Sequence, residues 1–231
     1  MPEFFAPQEP EDESTHSHRL LIGFSGALLP IALIAINHYR PTTGLLLESI
    51  SAYYYSGAVA VFTGILFALA AFLLTYQGFR NKGEPYYDRI IGITAGFAAV
   101  GVACFPTDAS PTRLEPLWWH DWIKYVHYGS ALVLFSCFAL FALWLFPKSN
   151  KKDWRITLYR VCGIGIVVCL ICVTLCLRVF HSPIFGFETA LLEFFALSWL
   201  VKGYADWSLV QLLKHPMNHF NTLRNYFTQP V

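Results

Sequence analysis

Residues 57–76 read GAVAVFTGILFALAAFLLTY, a run without a single charged side chain. As a helix, a run of this length crosses a hydrocarbon core of about 30 Å. In lipid the backbone can satisfy its own hydrogen bonds only as a helix or a closed barrel. Immediately upstream stands Glu48-Ser49-Ile50-Ser51-Ala52-Tyr53-Tyr54-Tyr55-Ser56, an acid, three serines and three tyrosines abutting the apolar run. Such a cluster costs free energy unless it lies at an interface or faces other protein. It reads as the lip of a site at the mouth of a membrane span, carried on a short interfacial helix.

The rest of the chain agrees with that start. Over 231 residues, 55% are hydrophobic and 13% charged, too apolar for a water-soluble domain of this size. Apolar stretches of membrane length recur, giving an all-α, polytopic membrane protein with six expected spans. These are about 20–36, 57–76, 90–105, 125–146, 161–177 and 184–201. An acidic tail, residues 1–18, is expected to be flexible; a six-helix domain covers 19–202, and a polar tail covers 203–231. The first run lacks the basic n-region of a signal peptide and reads as a retained span. Pro30 falls within span one, where a membrane helix tolerates a kink. Asp88 is placed to cap span three, whose Gly92, Gly96 and Gly101 allow close helix approach. With no basic patch of any length, nucleic acid is excluded as a partner, and membrane lipids are the expected surroundings.

Sorting the cations by connection gives the orientation. Arg19, Arg80, Lys82, Arg89, Lys148, Lys151, Lys152, Arg155, Arg160, Lys202, Lys214 and Arg224 fall on the side of the termini. Only Arg40, Arg113, Lys124 and Arg178 fall opposite, a ratio of about three to one that places both termini in the cytoplasm. Glu48, Ser49, Ser51, Tyr53, Tyr54, Tyr55, Asp108, His120, Asp121, His127, Arg178, His181, Glu188 and Glu193 then collect on the outer side, and of these Glu48, Ser49, Ser51, Tyr54, Asp108, His127, Arg178, Glu188 and Glu193 are the pocket candidates. The Trp118-Trp119-His120-Asp121-Trp122 loop has the aromatic density of a headgroup belt.

Each candidate also has a plain structural reading. Glu193 lies on the order of 13 Å into span six and must be paired, hydrated or protonated there; an ion pair from Arg178 to Glu188 or Glu193 would supply the partner. Glu188 and Glu193 stand about 140° apart around a helix and do not form a dyad on it. A lone His127 at a helix end is commonly a hydrogen-bonded interface residue. The functional alternative is convergence of Asp108, His127 and His181 at the ends of three spans, a set able to ligate zinc. Cys104, Cys137, Cys162, Cys169, Cys172 and Cys176 all fall in spans and read as small packing residues. Cys169, Cys172 and Cys176 share a helical face, but no histidine completes a ligand set there. His215 and His219 have helical metal-pair spacing, with Pro216 between them and no accompanying acid.

Three short motifs carry a family resemblance: Ser49-Ile50-Ser51-Ala52-Tyr53-Tyr54, Phe105-Pro106-Thr107-Asp108 and His127-Tyr128-Gly129-Ser130-Ala131. With them, residues 20–202 resemble poorly characterised bacterial six-helix membrane proteins, which are similar to the wider DRAM/Sfk-like six-span group. That resemblance implies fold, topology and an inner-membrane location more than activity. It associates a histidine with the position after the paired tyrosines, where this chain has Tyr55. A second resemblance is to intramembrane metal-dependent lipid hydrolases related to alkaline ceramidase. That group has seven spans and a membrane-embedded His-x-x-x-His pair, whereas the matching spacing here, His215 to His219, is in the polar tail.

The leading expectation is therefore a membrane protein binding a lipid or small amphiphile in an outer polar pocket, with no cofactor. The alternative is a metal-dependent hydrolase, with Asp108, His127 and His181 on a divalent ion such as zinc, Glu48 or Glu193 as proton acceptor and Ser51 polarising the substrate. A small transporter is a third class, for which no repeat or broken helix pair speaks.

Overall fold

The computed structural model describes residues 13–39, 46–78, 87–109, 115–148, 154–180 and 182–205. Six long helices and one short 3-10 turn carry the described chain, and no strand occurs among these residues. The helices are α1 (Glu13–Tyr39), α2 (Val59–Thr75), α3 (Tyr87–Cys104), α4 (Ile123–Lys148), α5 (Trp154–Phe180) and α6 (Phe185–Ala205). α4 and α5 each contain a π-helical turn, at Phe141–Leu145 and Cys176–Phe180. Helices α1, α3, α4 and α5 are long and apolar enough to cross a membrane by length and composition. The chain is a multi-pass membrane protein.

The helices close into a ring. α1 packs on α2 and α6, and the remaining neighbours follow in sequence from α2 to α6. Small residues set how closely they approach. A Cβ on Gly96 would lie 2.6 Å from Leu74 Cγ, and one on Gly23 would lie 2.8 Å from Leu200 Cγ. Without a hydrophobic force between helices in lipid, such close backbone approach is a main source of packing energy.

Helix lengths depart from the hydropathy pattern at the end of the bundle that carries Arg19, Tyr76 and Lys202. α1 begins at Glu13, inside the stretch expected to be a flexible tail, and Arg19 and Ile22 are fully buried. α5 begins at Trp154, well before the apolar run, and Tyr159 is fully buried against Phe146 at 5.4 Å between ring centroids. The α1 extension is held by Arg19 Nε, 3.4 Å from the Tyr76 hydroxyl, and the α5 extension by the Tyr159–Phe146 ring contact, neither of which hydropathy registers. Asp88 lies inside the first turn of α3 rather than before it, where an acid is favoured by the helix dipole.

The opposite end positions the site. The expected short helix after Glu48 is a single 3-10 turn, Ser51–Tyr55. It lies against the end of α3 and the beginnings of α4 and α6, as its hydrogen bonds show.

Candidate functional site

The 3-10 turn is pinned from both sides. Glu48 contributes through its backbone: its carbonyl accepts from Ile184 N at 2.8 Å and Phe185 N at 3.0 Å. Those amides stand at the start of α6, where a helix leaves its first N–H groups without internal partners. In return the Glu188 carboxylate accepts from Ile50 N at 2.6 Å. Ser49 Oγ accepts from Ala52 N at 3.0 Å, and Ser56 Oγ accepts from Ala58 N at 3.1 Å where α2 begins. A backbone with this many fixed points holds its side chains at defined positions.

A 3-10 helix advances about 120° per residue, so three successive tyrosines face three directions. Tyr53 is fully buried, with its ring 6.0 Å from that of Phe185. Tyr55 donates to the Thr107 carbonyl. Tyr54 is half-buried and lies one turn after Ser51, on the same face.

Ser51 meets His127. The imidazole Nδ1 lies 2.6 Å from the Phe105 carbonyl oxygen, and Nε2 lies 2.9 Å from Ser51 Oγ. A carbonyl only accepts, so Nδ1 carries the hydrogen of the neutral ring. Nε2 is then an acceptor, and the serine hydroxyl donates to it. His127 is only 2% exposed, whereas Ser51 is half-buried. The pair thus has a shielded base and a hydroxyl closer to the surface.

Beside it runs a second polar chain. Tyr128 donates to Asp108 Oδ1 at 2.7 Å and lies 2.8 Å from Thr107 Oγ1, which in turn is 3.2 Å from Asp108 Oδ1. Burial opposes ionisation of Asp108, but the hydrogen bonds from Tyr128, its own backbone and Thr107, with the Lys124 charge, hold its carboxyl below the ordinary range. Burial, followed by the nearby carboxylates Glu115 and Asp108 and the neighbouring tyrosines, raises Tyr55. Burial first, and Cys104 second, raises Tyr54. Both phenols stay protonated, and the Tyr55 hydrogen goes to the Thr107 carbonyl.

A groove of about 570 Å³ lies between α3 and α4, lined by Thr94, Phe97, Ala98, Tyr125, Val126, Gly129, Ser130 and Val133. Its α4 wall includes Tyr125 and Val126, directly before His127 and Tyr128 in the chain.

Of the pocket residues expected from sequence, Ser49, Ser51, Asp108, His127 and Glu188 converge at this end, with Tyr54 on the Ser51 face. The Arg178 pair does not form. Glu188 takes the Ile50 amide instead, and Arg178 is exposed on the π-helical turn of α5. Glu193 is likewise exposed on α6 and makes no hydrogen bond or ion pair among the described residues. Asp121 pairs with Lys124 at 3.8 Å, and His120 is exposed on the same loop. His181, His215 and His219 lie outside the described residues. Among the described residues no group of three histidine, cysteine, aspartate or glutamate side chains is placed to hold a metal, and both ring nitrogens of His127 are occupied. All six cysteines are free thiols.

Sequence reasoning missed Thr107 and Tyr128 as members of the network and gave Tyr55 no place in the pocket. The signal for two of them was present: Thr107 adjoins Asp108 and Tyr128 adjoins His127, within the motifs already singled out. Compared with known proteins, the chain matches no family model, no curated protein and no solved structure.

Proposed function

We propose that the protein is a six-span bundle of a bacterial-type inner membrane, with both termini cytoplasmic, that binds a lipid or small amphiphile at its outer end. One observation carries this reading. Along α4, the residues of the apolar groove, Tyr125 and Val126, are followed at once by two members of the polar network, His127 and Tyr128. The two groups share one turn of α4, and so one depth, on different faces of the helix; an amphiphile reaching around that turn would meet a slot for a chain and hydrogen-bonding groups for a head. The groove opens between two helices of membrane length, so hydrocarbon is the solvent around it. The distribution of Lys and Arg supports the orientation.

Gly129 provides the test, because a Cβ there meets nothing within 4 Å. Gly129→Leu fills the groove without displacing the helix. Native mass spectrometry with an ether-linked lysophosphatidylcholine should show binding to the parent protein and about tenfold weaker binding to the variant, the equivalent of 1.4 kcal/mol. Equal occupancy in both would remove the groove from the reading. For orientation, a cysteine at Leu117, in a Cys104→Ser background, should react with an impermeant maleimide on intact cells. Labelling only after permeabilisation would invert the topology.

A further inference from the structure

We infer that Ser51 and His127 form a nucleophile and general-base pair acting on the acyl ester of an amphiphile bound at this end, an inference that rests on the binding reading above. Three features of the pair go beyond what a structural staple requires. The tautomer is fixed, because the Phe105 carbonyl takes the Nδ1 hydrogen and leaves Nε2 basic. The base faces the hydroxyl at 2.9 Å, within the range over which a serine is activated. The nucleophile stands on a turn whose backbone is held by Glu188 and by the Glu48 carbonyl, while its own side chain is only half-buried. Nucleophile, base and orienting group therefore occur in series, with a backbone carbonyl where many enzymes place a carboxylate.

The step balances with water as the only co-reactant. Ser51 Oγ bonds to the acyl carbon as its proton passes to His127 Nε2. The tetrahedral intermediate collapses, the ester C–O bond breaks, and the alcohol leaves with the proton from Nε2. A water molecule then gives a proton to Nε2 and its oxygen to the acyl carbon; the fatty acid departs as the proton returns to Ser51 Oγ. Asp108, held by Tyr128 next to His127 in the chain, is the carboxylate of this end that complements the transient imidazolium. The Tyr54 hydroxyl, one 3-10 turn from Ser51 and on the same face, is the phenol assigned as donor to the developing oxyanion.

The test uses the full-length protein in detergent micelles with two probes. A fluorophosphonate should add to the peptide containing Ser51, read by mass spectrometry, and 1-acyl-lysophosphatidylcholine should release fatty acid. Ser51→Ala should abolish the adduct, and His127→Gln should slow both reactions at least about a hundredfold. Tyr54→Phe should lower ester turnover with the adduct still forming. The ether-linked analogue separates the two readings. If the analogue binds, but the ester stays intact and Ser51 stays unmodified, the catalytic inference falls and the binding reading stands. If the analogue fails to bind as well, both fall. Should Ser51→Ala not fold, the adduct site on the parent protein alone decides: modification elsewhere, or nowhere, overturns the inference.

Discussion

The two ends of this bundle are held together by different physics. At the end away from the site, Tyr76, Phe141, Phe146 and Trp199 meet edge-on or tilted, with ring centroids 4.9 to 6.0 Å apart. Arg19 and Lys202 are buried among them, the Arg19 Nε 3.4 Å from the Tyr76 hydroxyl and the Lys202 Nζ 6.0 Å from the Phe146 ring. At the site end, single directed bonds join a loop, a 3-10 turn and the ends of α3, α4 and α6. Aromatic packing spreads its energy over many weak contacts. A hydrogen bond contributes little net energy but fixes an angle and a distance. Stability should therefore concentrate at one end, and positional precision at the other.

Trp199→Ala tests the first half of that statement and carries the largest expected effect. The side chain is fully buried and contacts the rings of Tyr76, Phe141, Phe146 and Phe195. Its removal should cost about 3–5 kcal/mol, the range for emptying a packed aromatic site. Denaturation in mixed detergent micelles measures it. Trp199→Phe should cost far less, because the indole N–H has no acceptor among the described residues and most of the ring contact survives. Equal losses in the two variants would mean that the N–H, not the packing, matters at this end.

How much of each end was legible in the sequence follows from the same distinction. An uncharged run such as Gly57 to Tyr76 announces an apolar helix directly, and the small residues Gly96 and Gly101 announce close approach. The polar residues of the site end could be grouped because helix ends alternate sides, which brought Ser51, Asp108, His127 and Glu188 to one depth. Their partners could not all be assigned, because several of the bonds at this end go to backbone atoms. The Ile50 amide, the Phe105 carbonyl and the Glu48 carbonyl carry no sequence signature. The pairing of Arg178 with an acid failed for this reason: opposite charges are visible in a sequence, and an orphan amide at a tight turn is not. The aromatic end was missed because its members are spread from Tyr76 to Trp199 and each alone reads as a span residue.

Tyr128→Phe probes the site end at intermediate cost. It deletes one hydroxyl that bonds both Thr107 and Asp108, for a loss of about 1 kcal/mol, since the exposed carboxylate left behind is rehydrated. If directed bonds set position more than stability, binding of the ether-linked lysophosphatidylcholine should fall while the denaturation midpoint scarcely moves. A large stability loss with intact binding would reverse the assignment of roles to the two ends.

The smallest effect is a pH dependence confined to the site end. The Asp108 carboxyl titrates below its ordinary value of 3.8 in the folded protein, so the folded state favours its ionised form. Its contribution is fully present above the unfolded value and is lost as pH falls through the folded one. Lowering the pH from neutral into the acid range should thus weaken the parent protein slightly more than Asp108→Asn, whose side chain does not titrate. Among the described residues the rings packed around Trp199 include no carboxylate contact, and the Trp199→Ala penalty should be the same at both pH values. A penalty that changed with pH would show that the two ends are coupled through the helices.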